Sequence, residues 1–402
     1  MLTGTAVRDV REEALVARRE GKQLKVLHLI TWLQPGGIEK WLLTMLEQVD
    51  RSQVSIDFCC KGSSVGQLAP VARDKGATVV HCPLTASHVG FGRKFKRLVR
   101  QGCYDIVHNH LEAYSGYPVW LSRQLGVPVI TSFHNTRFPA QTGLRWPVLR
   151  ELRGLYSQLS VRYAMDHSDV VTGCSQGVLA SLVNPDRNGS KHRVLYYGIP
   201  AVPIQDESAR QRFRSSLGYS ARTPLVLHVG RFLEQKNHLG LLEIWKRVLT
   251  RTPMARLLLV GDGVLRPKVE TAVQGLGLEG TVRFLGTRAD VKDIMGSCDV
   301  FLFPSLHEGL PVAALEAGGA GLPLVGTNVP GLNEIVEHGR TGLLHSVKDV
   351  EGMASSVSRL LHGKEEVRKL GDAARNRVRD RFSAASSAEG LMSLYYECLG
   401  HS

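Results

Sequence analysis

The stretch PLVLHVGRFLEQKNHLGLLEIWKRVLTRTPMARLLLVG, Pro224–Gly261, decides the fold. It opens on a near-continuous apolar run, Pro224–Gly230, which stops at a glycine. A polar loop follows, then Leu239–Arg251, where apolar residues recur at helical spacing, then a second apolar run, Arg256–Gly261. A strand with one wet face alternates in polarity, whereas a strand covered on both faces reads as apolar throughout. Two such strands joined through a helix make a parallel βαβ unit.

Outward from this unit the pattern repeats. Apolar runs bounded by Gly, Pro, Asn or Asp stand at Lys25–Thr31, Val54–Cys60, Ala77–His81, Asp105–His108, Val127–Phe133, Asp169–Cys174 and Arg193–Tyr197 in the first half. The second half adds Val282–Leu285, Val300–Pro304, Leu324–Thr327 and Gly342–Leu344. Helical patterns such as Ile38–Val49 lie between them. The order βαβαβ occurs twice, which predicts an α/β chain of two doubly wound, Rossmann-like domains. The break is expected near Gly198–Ser208, where Gly, two Pro and a polar stretch separate two strand patterns. The expected layout is a leader over 1–23, an N-terminal domain over 24–200, a C-terminal domain over 201–385, and a terminal amphipathic helix over 386–402 able to pack back on the N-terminal domain.

Composition narrows the function classes. Hydrophobic residues at 43% and charged residues at 22% are those of a globular protein rather than a disordered one. No run approaches the ~18 apolar residues that span a bilayer, and the first 23 residues lack the apolar core of a secretory signal. Seven cysteines without a C-x-x-C pair, mostly in strand-like runs, read as buried free thiols of a cytoplasmic protein. The formal charge of +13 is uneven. Residues 1–200 carry 25 Lys and Arg against 15 Asp and Glu, and residues 201–402 carry 25 against 22. The surplus in one half points to a polyanion. Its densest run is Arg93, Lys94, Lys96, Arg97 and Arg100, interleaved with Phe95, Leu98 and Val99. As a helix it is either a surface element packing an apolar stripe on its own domain or a peripheral contact with an anionic membrane. No nucleic-acid-binding signature accompanies the charge, and aromatic residues at 6% are thin for stacking platforms. A nucleic-acid or anionic-surface binding module is therefore the weaker alternative to an enzyme.

Open parallel sheets bind ligands beyond the carboxyl ends of their strands, and two sheets facing each other would make a cleft. The motifs stand at such ends. Pro35-Gly36-Gly37-Ile38-Glu39 follows the first strand; its glycines allow close backbone approach, the next helix offers free N–H groups to a phosphate, and Glu39 would cap its first turn. Gly230-Arg231-Phe232-Leu233-Glu234-Gln235-Lys236-Asn237 presents an Arg and a Lys five positions apart, able to converge on a diphosphate. Ser305-Leu306-His307-Glu308-Gly309-Leu310-Pro311 precedes an apolar helix carrying Glu316. Glu308 just before that helix and Glu316 about two turns along it could reach one elongated ligand. Thr131-Ser132-Phe133-His134-Asn135 puts a histidine at a strand end, with His108-Asn109-His110 on the same side. Each motif alone is also what an ordinary loop carries. His108, His110 and His134 could ligate a metal, but no carboxylate stands at ligand spacing, and no metal is expected.

Taken together these segments resemble a retaining glycosyltransferase of family 4, with the two-Rossmann GT-B fold, over residues 24–400. The resemblance rests on the ordered set Pro-Gly-Gly, Gly-Arg-x-x-x-x-Lys, Gly261-Asp262-Gly263, Arg283-Phe284-Leu285-Gly286 and the spaced glutamates 308 and 316. Gly-Gly-Ile-Glu and Tyr104–His108 look most like enzymes building exopolysaccharide or capsule repeat units. The resemblance implies that Arg231 and Lys236 bind the nucleotide diphosphate and that Glu316 holds the ribose hydroxyls. It implies Glu308 on the donor sugar's hydroxyls, the backbone at Arg283, Phe284 and Leu285 around the base, and Gly36 and Gly37 near the donor phosphates. Gly261 belongs to the donor site, His134 to the anomeric centre, Gly309, Leu310 and Pro311 to the loop around sugar and distal phosphate. His108, Asn109 and His110 are placed on the acceptor side.

The implied partners are a nucleotide sugar (UDP favoured, GDP next) and a glycan or lipid-linked saccharide acceptor. The implied place is the cytoplasm, peripheral at the inner membrane face. Many relatives have Asn-Gly-Ile where this chain has Tyr197-Gly198-Ile199, and Lys-Gly where it has Lys236-Asn237. An epimerase of the same architecture, a sugar phosphorylase and a natural-product transferase remain as alternatives. A phosphorylase would need a lysine for pyridoxal phosphate and usually a longer chain; nucleotide sugar alone distinguishes the epimerase, which turns over without acceptor. No Asp-x-Asp metal motif is evident, the Arg/Lys pair can serve as the diphosphate's cation, and no carboxylate nucleophile is obvious. The expectation is metal-independent, front-side transfer.

Overall fold

The computed structural model describes residues 23–84, 88–136, 147–182 and 191–400. The leader expected over 1–23 lies outside the described residues apart from Gln23. The chain divides into two compact units: everything through Gly198 together with the chain from Ala384 on, and Ile199–Ser383.

The first unit is a parallel sheet of β1 (Leu24–Ile30), β2 (Val54–Cys60), β3 (Val79–His81), β4 (Ile106–Asn109), β5 (Val129–Phe133), β6 (Val170–Gly173) and β7 (His192–Val194). Their order is β3-β2-β1-β4-β5-β6-β7, so the winding reverses between β1 and β4. Helices α1 (Gly37–Gln48) and α2 (Ala69–Asp74) connect strands on one side of that reversal. Helices α3 (His88–Gly102), α4 (Gly116–Gln124), α5 (Pro147–His167) and α6 (Gln176–Leu182) connect strands running the other way. Right-handed crossovers place the two groups on opposite faces of the sheet, and α3 packs on α4 and α4 on α5. β1, β4 and β5 are buried on both faces, which is why their sequences carry no alternation.

The second unit repeats the scheme with β8 (Leu225–Val229), β9 (Arg256–Val260), β10 (Val282–Gly286), β11 (Val300–Phe303), β12 (Leu324–Thr327) and β13 (Gly342–His345), in the order β10-β9-β8-β11-β12-β13. Its helices are α7 (Glu207–Ser216), α8 (His238–Arg251), α9 (Arg266–Gly275), α10 (Val291–Ser297), α11 (Val312–Gly319), α12 (Leu332–Ile335), α13 (Val350–His362) and α14 (Lys364–Arg381). Trp245 of α8 is fully buried among Leu257, Leu259 and Val300 of the adjoining strands. Each described strand overlaps an apolar run read from the sequence.

The last helix, α15 (Ala384–Cys398), packs on α1 in the first unit. Trp41 Nε1 of α1 donates to Ser387 Oγ at 2.8 Å, and Ser387 Oγ donates to the Tyr196 carbonyl. Leu391, Leu394 and Tyr395 are buried there. Six of the seven cysteines are buried and Cys103 is exposed, all of them free.

Candidate functional site

In the second unit two loops leave the carboxyl ends of adjacent strands, β8 and β11, at the point where the winding reverses. The first carries Arg231 and Lys236, the second Glu308, and several hydrogen bonds stitch them together. Lys236 Nζ donates to Glu308 Oε1 at 2.6 Å and sits 4.6 Å over the Phe303 ring. Gln235 Nε2 donates to the His307 carbonyl at 2.9 Å and to Glu308 Oε2 at 3.2 Å, while Leu306 N–H donates to the Gln235 carbonyl. Glu308 is only 4% exposed, so a buried carboxylate holds a half-buried ammonium. A buried charge needs such a partner. Arg231 stands exposed beside this pair in sequence.

Asn237 ends the short turn Glu234–Lys236 in the left-handed conformation, φ 53°. Only Gly and, at modest cost, Asn or Asp adopt it routinely, which explains how Asn stands where relatives carry Gly. The side chain adds what Gly lacks: it caps α8 by accepting from Gly240 N–H and donates to the Pro304 carbonyl at 3.1 Å. Glu316 lies on the second turn of α11, 8% exposed, and Gly309, Leu310 and Pro311 are buried in the loop that leads into that helix. Gly331 backs this loop: its φ is +80°, and a Cβ there would fall 1.9 Å from the Gly309 carbonyl oxygen. Gly261, at the end of β9, has φ +129° and would meet the Gly230 carbonyl at 2.1 Å if it carried a Cβ. Both glycines are required by close backbone approach.

Arg283, Phe284 and Leu285 are on β10, at the edge of the same sheet. The Arg283 guanidinium donates to the Leu217 carbonyl, and Phe284 packs partly on the core under the Arg266 guanidinium. Gln235 and Asn237, quoted within the loop motif but given no role there, and Gly331, not read at all, are the contributors that motif reading missed. Gly331 lies far from Gly309 in sequence and nothing local marks it.

In the first unit, Gly36 is the N-cap of α1, and Gly37 begins that helix with Glu39 in its first turn. His134 follows β5, is 5% exposed, and has both ring nitrogens engaged: Nε2 with His110 Nδ1 at 2.9 Å and Nδ1 with Tyr197 Oη at 2.5 Å. His108 and Asn109 are wholly buried. His108 Nε2 pairs with Ser132 Oγ at 2.6 Å, and Asn109 bonds to Leu111 N–H and the Ser115 carbonyl. Neither presents an exposed polar atom. His28, opposite His108 in register on β1, joins the group, and burial holds His28 and His134 down to about 3, with His108 and His110 well below the usual imidazole range. All four are neutral rings. His28, His108 and His110 each have a nitrogen within 4.8 Å of the others'. Both nitrogens of His28 and of His110 are already hydrogen-bonded, however, so a cation would have to displace those bonds.

Glu112, in the loop after β4, was not singled out by the sequence. Its carboxylate accepts from His134 N–H at 3.1 Å and from Asn135 Nδ2 at 2.9 Å. Desolvation pushes it up to about 7 despite those bonds, and its own φ of 49° is strained for a residue with a side chain. Strain and a shifted carboxyl together mark functional positions.

Fold and site are those of a sugar-transferring enzyme. Residues 223–363 match the model of the glycosyl transferases group 1 and residues 36–198 that of the glycosyl transferase 4-like domain; the chain belongs to this glycosyltransferase family and has the GT-B fold. Among curated proteins it is 26% identical over 312 residues to the N-acetyl-alpha-D-glucosaminyl L-malate synthase of Bacillus anthracis, covering 76% of this chain and 78% of that one. It is 24% identical over 390 residues to the UDP-Gal:alpha-D-GlcNAc-diphosphoundecaprenol alpha-1,3-galactosyltransferase of Escherichia coli, covering 93% and 97%. In three dimensions it resembles the Anabaena protein Alr3699/HepE, solved in complex with UDP, with a TM-score of 0.78, 19% identity, and coverage of 93% of this chain and all of that one. No helix among the described residues is long and apolar enough to cross a membrane.

Proposed function

We propose that this enzyme moves a hexose-type sugar from a nucleotide diphosphate sugar, with UDP as the carrier, to a saccharide or lipid-linked saccharide in the building of a cell-surface glycan. The observation that carries the reading is the Lys236–Glu308–Gln235 cluster at the winding reversal of the second sheet. UDP is supported by the neighbour solved with that nucleotide, and the lipid-linked acceptor by the name of the E. coli relative.

In this reading Lys236 and Arg231 face the diphosphate and stabilise it as it departs, which is where negative charge develops. Glu308 aligns Lys236 and accepts from the donor sugar's hydroxyls when the donor binds. Glu316 takes the ribose hydroxyls, and the backbone of Arg283–Leu285 borders the base. The transfer retains configuration. A bond forms between the acceptor oxygen and the anomeric carbon on the face from which the phosphate oxygen departs, and that oxygen takes the acceptor's proton. No metal ion is invoked, because the Arg/Lys pair supplies the cation. Trapping a covalent glycosyl-enzyme would overturn the front-side route.

The acceptor's membrane is met by the α3–α4–α5 face. Helix α3 carries five cations and no Asp or Glu, but Phe91, Phe95 and Val99 are buried against its own domain, so its apolar stripe is not available to lipid. On α5, Val148, Leu152, Leu155 and Leu159 form a stripe between 53% and 66% exposed. Contact would combine that stripe with the outward cations of α3.

Thermal unfolding with UDP, GDP, ADP and their sugars tests the nucleotide: a ligand at 100 times its Kd adds roughly 2.7 kcal/mol. Turnover of Lys236→Ala and Glu316→Ala tests the site. Wild-type turnover in both, or stabilisation by no nucleoside diphosphate, would remove the assignment.

A further inference from the structure

Five buried rings of the first unit form one unbroken hydrogen-bonded line. Tyr395 Oη of α15 meets His28 Nε2 at 2.8 Å, His28 Nδ1 meets His110 Nε2 at 3.0 Å, His110 Nδ1 meets His134 Nε2 at 2.9 Å, and His134 Nδ1 meets Tyr197 Oη at 2.5 Å. None of the five is more than 6% exposed. Neighbouring rings also stack, His28 on His110 and His110 on His134, both at 16° between planes.

A neutral imidazole has one N–H and one lone pair. In a line of such rings, choosing the tautomer of one fixes the next, because a mixed choice sets donor against donor or lone pair against lone pair in a dry core. Only two arrangements satisfy every ring: all three histidines protonated at Nδ1, with hydrogens running from Tyr395 toward Tyr197, or all three at Nε2, running back. The far end selects between them. Tyr197 also hydrogen-bonds the Cys174 side chain, and Cys174 Sγ donates onward to the His134 carbonyl at 3.5 Å. A thiol that donates to that carbonyl accepts from Tyr197, so Tyr197 donates its proton to sulfur and must accept from His134 Nδ1.

We infer that Tyr197, backed by Cys174, fixes His134 as the Nδ1–H tautomer, and that Tyr395 and His28, both wholly buried, are positioning residues that hold its ring in one orientation through the line. The inference rests on the reading that His134 borders the reacting sugar. The tyrosine that stands where relatives have asparagine then has a role, since it terminates the line. A ring locked in this way, with its carbonyl held by Cys174 and its N–H by Glu112, presents a fixed surface to the sugar without exchanging protons with it.

The test begins with the native protein. Long-range ¹⁵N–¹³C NMR of its histidines should show His28, His110 and His134 all protonated at Nδ1 near neutral pH; any mixture of tautomers among the three overturns the inference. Tyr395→Phe keeps the ring and removes the first donor. It should broaden or shift the His134 signals and lower kcat by roughly 10- to 100-fold, the scale of a small misplacement far from the chemistry, with KM for the donor nearly unchanged. If that variant fails to fold, Tyr197→Phe breaks the line at the other end and should release His134 into both tautomers. Unchanged His134 signals and unchanged kcat in a folded Tyr395→Phe protein refute the inference. His134→Ala is measured in parallel: wild-type turnover there would instead remove the placement of His134 at the sugar, while the NMR result stands alone. Stoichiometric zinc in the purified protein, lost with His28→Gln, would also overturn it, because the nitrogens would then be metal ligands.

Discussion

Lowering the pH from 7.5 to 5 should destabilise the first unit, and the sum can be worked group by group. His28 and His134 are held to about 3 in the folded protein by burial, against 6.5 when unfolded. Their neutral forms contribute fully above pH 6.5. As the pH falls through that value the unfolded chain binds protons that the folded one refuses, and stability is lost. At pH 5 the gap is 1.5 pH units, so each costs about 2 kcal/mol. His108 and His110, also held low by burial, act in the same direction. Glu112 opposes them. Its carboxyl rises from 4.5 to about 7 on folding, so its penalty is full above pH 7 and relieved as the pH falls, returning about 2 kcal/mol by pH 5. The wild type should therefore lose at least about 2 kcal/mol, and Glu112→Gln, which keeps an acceptor oxygen but does not titrate, at least about 4. Urea unfolding at both pH values, read by hydrogen exchange in peptides from β1 and β4, isolates this unit. A flat urea midpoint in the wild type, or an acid loss no larger in Glu112→Gln, would refute the reasoning.

Three further outcomes follow from particular contacts. Gly331→Ala forces a Cβ into the Gly309 carbonyl at positive φ and should cost upward of about 2 kcal/mol in thermal unfolding while weakening UDP binding; stabilisation would show that the loop is free to move away. Asn237→Ala loses a helix cap and a left-handed conformer, about 2 kcal/mol in all, whereas Asn237→Gly should recover most of it, and equal losses in both would put the cost elsewhere. Replacing Leu152 and Leu155 by serine should weaken binding to anionic vesicles about tenfold for each residue at low salt; binding indifferent to both substitutions and to salt would remove α5 from the membrane reading.

The strands were legible because parallel β-structure buried on both faces leaves uninterrupted apolar runs, and the loops carrying Lys236 and Glu308 because they stand where those runs end. The pairing of Lys236 with Glu308 was not legible, since it depends on β8 and β11 being neighbours in the sheet although two strands separate them in sequence. The histidines illustrate the same limit more sharply. His108, His110 and His134 read as polar rings on one side whose one joint use was a metal, and His28 was not read at all; register between β1 and β4 and the return of the last helix turn His28, His110 and His134 into a line. Helix α3 admitted two readings, and burial of Phe91, Phe95 and Val99 decides for the packed stripe. The exposed stripe of α5 went unnoticed because an apolar pattern on a helix does not say which side is covered. Glu112 left no signal, as a single acid in a short loop has no pattern around it.

The return of α15 to the first unit has a consequence for biosynthesis. Trp41, Tyr196 and His28 leave the ribosome before the second unit is made, and their partners Ser387 and Tyr395 after it. The early lobe must wait, with a greasy groove beside α1 and an unfilled socket at His28, while the intervening lobe is translated and folds on its own. Emergence of α15 is then the moment when the first lobe locks, and nascent chains halted before Ala384 should be the ones that chaperones retain.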